Sequence, residues 1–262
     1  MNDETKRKIS MAITAVLMIL LILYDFVLKN KMFTGLVQTH RTLLNTAITR
    51  VLGGLIFIVL TLYIGYKIMN PLYLNKKGIL FSLPAIIIAL NNMPIIPLIT
   101  GQAKLEASGF DILLLAFECF SIGLFEEFAF RGVIFLGVLE KRRENTRGLF
   151  VSIIISSAVF GVIHLLNLFT SSPGAVILQI GYSFLIGAMC SVVLIHTSNI
   201  WLCVIIHGVY DFCGSLIPTF GKGTIWTVEE VTLTAVLGVA AAVYFILLLY
   251  RTDVRITDKL YN

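Results

Sequence analysis

Apolar residues run along this chain in blocks of about 20, the length a helix needs to cross a hydrocarbon layer at about 1.5 Å rise per residue. The blocks predict helices at Ser10 to Leu28, Thr46 to Met69, Gly78 to Thr100, Asp111 to Leu139, Leu149 to Phe169, Gly174 to His196, Asn199 to Pro218 and Glu229 to Tyr250. Pro71, Pro173 and Pro218 fall at or beside block ends, as expected of a residue without a backbone donor. Pro84, Pro94 and Pro97 lie inside the third block and should kink or break it. The pattern predicts an all-α fold, an integral membrane bundle of about eight transmembrane helices.

Composition supports a lipid solvent for these blocks. With 58% hydrophobic and 13% charged residues among 262, the chain is far more apolar than a soluble domain of that length needs for its core. The net charge of +5 then reflects Lys and Arg in short loops beside anionic headgroups, not a nucleic-acid surface. If the first helix enters from the cytoplasm, thirteen cations lie inside: Lys6, Arg7, Lys8, Lys67, Lys76, Lys77, Lys141, Arg142, Arg143, Arg147, Arg251, Arg255 and Lys259. Six lie outside: Lys29, Lys31, Arg41, Arg50, Lys104 and Lys222. This asymmetry favours cytoplasmic N- and C-termini and, with no organelle-targeting segment, a bacterial plasma membrane. The first block is as long as a span, and Asp25 and Phe26 stand where a cleavage site would need small residues, so it reads as a retained helix. Cys119, Cys190, Cys203 and Cys213 all fall inside blocks with no CxxC pair, and read as packing residues.

Ionisable residues inside such blocks are costly and usually functional. The fourth block carries Glu126, Glu127 and Arg131, the fifth His164, and the seventh His207 with Asp211 four residues on. On a helix Glu126 and Glu127 project about 100° apart, whereas Glu127 and Arg131 share one face a turn apart. Arg131 is therefore expected to pair with Glu127, leaving Glu126 to face elsewhere as a base toward water. The competing reading is a buried ion pair that only fixes helix packing. His164, taken singly, reads as a packing residue, and His207 with Asp211 as a local hydrogen bond. Counted from the cytoplasmic helix ends, Glu126 lies at a depth of about 20 Å, His164 about 22 Å, His207 about 12 Å and Asp211 about 18 Å. At such depths all four can meet in one polar cavity. Glu118 is expected near the interface rather than in the outer part of the same cavity, and Asn91 and Asn92 in interhelical hydrogen bonds rather than on a substrate backbone. His196 and Asn199 should bracket a short loop, and Gly123, Gly132, Gly161, Gly181 and Gly187 should mark close helix packing.

In chain order, Glu-Glu-x-x-x-Arg at Glu126, Glu127 and Arg131, Phe-x-x-x-His at Phe160 and His164, and His-x-x-x-Asp at His207 and Asp211 form a series. The series resembles the CPBP (CAAX protease and bacteriocin-processing) family of intramembrane proteases, also called the Abi family, whose eukaryotic relative is the Ras-converting CAAX endopeptidase. The likeness runs from about Glu126 to Asp211; the first three blocks and the last match only in being transmembrane. It implies an endopeptidase with Glu126, His164, His207 and Asp211 as the catalytic set and Glu127 with Arg131 in support. Water activated by Glu126 and His164 would attack a peptide carbonyl, with His207 and Asp211 near the developing oxyanion. Asp211 stands where some members carry Asn; an ionised carboxylate cannot donate, so its role would be to orient His207. The implied partners are a membrane-associated peptide, lipidated and CAAX-like or a small precursor, and membrane lipid. Two histidines and a glutamate, here Glu126, His164 and His207, are also a sufficient ligand set for zinc or another divalent metal. The lack of HExxH favours metal-free chemistry, and zinc stays open.

Two other classes compete with the hydrolase. Buried Glu, His and Asp also build the relays of a proton-coupled transporter, and a bacteriocin-immunity-type membrane protein would use the polar set only to bind a partner. No inverted repeat with matching broken helices is evident, which counts against a carrier. Two carboxylates and two histidines at one depth count against a scaffold. The favoured organisation is a single polytopic domain over residues 1–262 with a catalytic-type core at about 110–218.

Overall fold

The computed structural model describes residues 3–27, 32–69, 76–169 and 171–261. Leu28, Lys29, Lys31 and Pro71, and the side chains of Asp25 and Phe26, lie outside the described residues. The described residues are all-α apart from one small sheet. Its helices are α1 (Asp3–Val27), α2 (Gln38–Ile64), α3 (Lys76–Asn91), α4 (Ile95–Ile99), α5 (Gly109–Glu127), α6 (Leu136–Leu139), α7 (Thr146–Ile163), α8 (Pro173–Thr197), α9 (Ile200–Phe220) and α10 (Val228–Tyr250). A π-helical stretch, Phe128–Phe135, joins α5 to α6 in one rod, and 3-10 turns follow α7 (His164–Phe169) and α10 (Val254–Leu260). Strands β1 (Ala103–Leu105) and β2 (Gly221–Gly223) pair antiparallel, with Lys104 opposite Lys222.

Among the described residues, five helical segments are long and apolar enough to cross a membrane: Gln38–Ile64, Thr146–Phe169, Pro173–Thr197, Ile200–Phe220 and Val228–Tyr250. The other three expected blocks correspond to α1, the α3–α4 pair and the Gly109–Leu139 rod.

Most helix ends follow from their capping residues. Ser108 and Asp111 form a reciprocal capping box at the start of α5, and Asn145, Ser172, Asn199 and Thr227 each accept a backbone N–H at the start of the next helix. The second helix departs from expectation, beginning and ending earlier than Thr46 to Met69. Its polar first turns are held from outside the helix: Arg41 donates to the carbonyls of Thr34 and Leu36 at 3.2 Å, and His40 meets the Asp111 carboxylate at 2.5 Å. Gly65, at φ 93°, ends it in a left-handed turn that an L side chain would resist. The third block breaks at Pro94 and not at Pro84: α3 runs through Pro84 and stops at Asn91, and the helix resumes as α4 around Pro97. Pro218 lies inside α9, which runs on to Phe220, and not at its end as expected.

The core lies where the α5–α6 rod is packed by α2 on one side and α9 on another, with α7 and α8 paired beyond it. Phe57, Phe128, Phe135, Leu136, Leu194 and Ile200 are fully buried there. Close approach depends on small residues: a Cβ on Gly123 would come 2.9 Å from the Val204 carbonyl oxygen and 3.2 Å from the Gly208 nitrogen, both backbone atoms of α9. Gly161 meets α8 in the same way, at 2.9 Å from the Ile180 oxygen. Gly181, expected to do likewise, has nothing within 4 Å of its would-be Cβ and is no packing site. As expected, Asn91 donates to Thr234 and Asn92 to the Tyr210 carbonyl, at 3.0 and 2.8 Å.

The two ends of the bundle differ. At one end, Arg7 pairs with Glu140 and Arg143 with Asp258; Lys67 N donates to Leu260 O and Tyr261 Oη to Leu136 O, both at 2.9 Å. At this basic end His196 and Asn199 bracket the tight turn between α8 and α9, with Ser198 left-handed at φ 53°. The other end carries the β1–β2 sheet and the starts of α5, α8 and α10.

Gly123→Leu is expected to wedge α5 from α9 and destabilise the bundle by about 1–3 kcal/mol, the range for overpacking. Thermal unfolding in detergent measures this; a midpoint equal to the parent's would mean that the α5–α9 contact is not tight.

Candidate active site

Glu126 and Glu127 end the α-helical part of the rod, and the turn widens to π-helix at the next residue. Such widened turns recur at functional sites because they re-aim consecutive side chains. From Phe125 to Val133 every residue is buried except Glu126. The two carboxylates therefore part as the helical angle predicts: Glu127 turns into the bundle and Glu126 into a cavity of about 370 Å³.

Glu127 is the organising group. Its Oε1 receives His207 Nδ1 at 2.6 Å and lies 3.1 Å from Arg131 Nη1, with the Glu127 and Arg131 side chains 0% and 1% exposed. The expected pairing with Arg131 is present, and the bond to His207 is an addition to it. The Arg131 guanidinium also stands 4.5 Å from the centre of the Phe160 ring, a favourable cation–π geometry. Gly187 leaves it room, since a Cβ there would come 3.0 Å from Arg131 Nη2.

A carboxylate only accepts, so His207 must donate from Nδ1, and Nε2 is the atom it presents to the cavity. That Nε2 lies 3.6 Å from Glu126 Oε2 and 3.5 Å from Asp211 Oδ2. The expected pairing of His207 with Asp211 is thus an approach through Nε2, while Glu127 holds the ring from the other side. His164 sits where α7 gives way to its 3-10 turn and donates from Nδ1 to the Phe160 carbonyl at 2.9 Å, leaving its own Nε2 unused by that bond. The Phe160 ring stands edge-on to both histidines, with centroids at 5.2 Å from His164 and 5.8 Å from His207.

Glu126, His164, His207 and Asp211 all line the one cavity. Glu118 lines it too, contrary to its expected interfacial place; it follows Glu126's face two turns earlier, and the cavity extends that far along α5. Arg50 was counted among loop cations, but it lies within α2 and lines the same wall, 5.4 Å from the Phe125 ring. Neither the Glu127–His207 bond nor the place of Arg50 carries a sequence signal, because each joins residues on different helices. Asn167 and Gln179 close the cavity's edge with a side-chain hydrogen bond of 2.8 Å.

For a metal, the residue types suit zinc but the spacing does not. Among the described residues, the one group of three ligand atoms within 4.8 Å of one another is Glu127, Cys190 and Cys203. Glu126, His164 and His207 are not drawn that close, and Glu127 is already committed to His207 and Arg131.

Arg131→Met should destabilise the chain by about 3–5 kcal/mol by stranding the buried Glu127, and Glu127→Gln in the same chain should recover part of the loss. Thermal unfolding of single and double variants decides this; strictly additive losses would show that the two groups do not interact.

The family model described as "Type II CAAX prenyl endopeptidase Rce1-like" matches residues 108–213, from the cap of α5 to beyond Asp211 in α9. No match was found among curated proteins or solved structures.

Proposed function

We propose that this chain, whose residues 108–213 match the model of the Rce1-like type II CAAX prenyl endopeptidases, is a membrane protease of that kind and hydrolyses a peptide bond within the membrane by water activated at Glu126 and His164. The substrate class proposed is a membrane-associated peptide, lipidated and CAAX-like or a small precursor. The multi-pass chain is assigned to a bacterial plasma membrane, with its basic end in the cytoplasm.

One observation carries this reading: a carboxylate free of any buried partner role, Glu126, faces an imidazole Nε2 at 3.6 Å inside a cavity that a second histidine also lines. Glu126 takes the water proton, and the Nε2 of His164, its lone pair directed away from the Phe160 carbonyl, assists. As the carbonyl oxygen gains charge, His207, carrying a proton on both ring nitrogens as the imidazolium between Glu127 and Asp211, donates to it from Nε2, a contribution on the order of 3 kcal/mol for a preorganised donor. Glu127 positions His207 through Nδ1, and Arg131 balances the Glu127 charge. Asp211, at 3.5 Å from the same Nε2, holds the ring's cavity edge. The proton held at Glu126 passes to the leaving amine. The reaction is proposed without a metal.

Purified protein in liposomes, given candidate membrane peptides, tests the assignment. Glu126→Gln and His164→Ala are each expected to lower the cleavage rate about 10²–10⁴-fold while keeping the parent's unfolding temperature, and a chelator should leave the parent's rate unchanged. Undiminished cleavage by Glu126→Gln removes the base, and chelator-sensitive cleavage restored by zinc transfers the chemistry to a metal.

A further inference from the structure

We infer that the Glu126 cavity is entered from the extracytoplasmic side, so that the substrate is an exported or surface-held peptide anchored in the membrane; this rests on the protease reading for what the cavity does, but not for which way it faces.

The position of the cavity along each helix comes first. It is lined on the rod by Glu118 to Phe130, in a segment that starts at Gly109 on the sheet end. On α7 the lining residues are at the finish, Phe160 to Asn167. On α8 they fall between Gln179 and Ile186, in the half nearer its start at Pro173, and on α9 between His207 and Ser215, toward its finish at Phe220. Neighbouring helices run in opposite directions, so these stretches all lie between mid-bundle and the end that carries β1 and β2. Neither α6 nor the 3-10 turn after α10, both at the basic end, contributes a lining residue.

Charge then orients the bundle. All thirteen cations assigned to the cytoplasm are among the described residues and lie at the basic end, in the α6–α7 turn, the starts of α1 and α3, and the segments after α2 and α10. At the sheet end the described cations are Arg41, Lys104 and Lys222, because Arg50 belongs to the cavity wall. Lys and Arg in short loops set orientation by staying in the cytoplasm, so the basic end is cytoplasmic and the cavity opens away from it. The hydrocarbon core is about 30 Å thick, and a cytoplasmic peptide would have to cross about half of it to reach Glu126. A peptide on the outer face meets the mouth directly.

Thiol labelling of whole cells reads the orientation without relying on activity. Cys119, Cys190, Cys203 and Cys213 are all buried, but Cys119 lines the cavity, so the Cys119→Ser chain is the low-background control and parent for a membrane-impermeant maleimide. Ser215→Cys in the cavity wall and Lys222→Cys on β2 should label in intact cells, and Lys141→Cys only after permeabilisation. Lys141→Cys labelling from outside overturns the inference, as does Ser215→Cys labelling only after permeabilisation. Intact cells given an impermeant candidate peptide read the enzyme separately: the expected labelling without Glu126-dependent cleavage would count against the protease and leave the access face standing.

Discussion

A buried carboxylate sets the terms for this molecule. In a medium with little water, an uncompensated charge costs several kcal/mol, so Glu127 can exist at full burial only if its partners come to it. Arg131 arrives along the same helix, whereas His207 must come from α9. That requirement brings the rod and α9 together, and the contact is possible because Gly123 has no side chain to hold the backbones apart. Phe160 and Gly187 complete the seat around the guanidinium, which draws α7 and α8 to the same point.

The same arrangement frees the neighbouring group. Since Glu127 takes both the cation and the imidazole Nδ1, Glu126 is spared a structural role and turns to the cavity. Two identical side chains thus have separate environments because of a helical step of about 100°. The histidines follow the same logic. Each is fixed through Nδ1, His164 by a backbone carbonyl and His207 by a carboxylate, and each keeps Nε2 as its remaining ring nitrogen. Such preorganisation is what lets a site act on developing charge without first rearranging.

The polar cavity does not stand alone. An apolar cavity of about 400 Å³, bordered by α3, α7, α8 and α10, adjoins it, and Tyr182 and Tyr210 line both. Their rings lie 6.0 Å apart and form the partition. A phenol ring suits such a wall, because its face packs against hydrocarbon while its hydroxyl can meet water or a polar group. The bundle is therefore loosely filled where α10 packs, and tightly filled around Glu127.

Residue order alone was sufficient to find most of the helices and the break at Pro94, because block length is a local property that a bilayer enforces strongly, although it put Pro218 at the end of a helix that runs past it. It was also sufficient to separate Glu126 from Glu127 and to pair Glu127 with Arg131, since both follow from the geometry of one helix. The early start of α2 was not legible, because the contacts that hold Arg41 and His40 in helix come from a preceding loop and from α5. Nor was the π-helical turn at Phe128–Phe135, which has no proline or glycine pair to announce it. The bond from His207 to Glu127, the place of Arg50 and Glu118 in the cavity wall, and the end of the bundle on which that cavity lies were decided by tertiary structure alone. Each depends on distances between helices, and helix-to-helix distance is a property of packing that no stretch of sequence carries by itself.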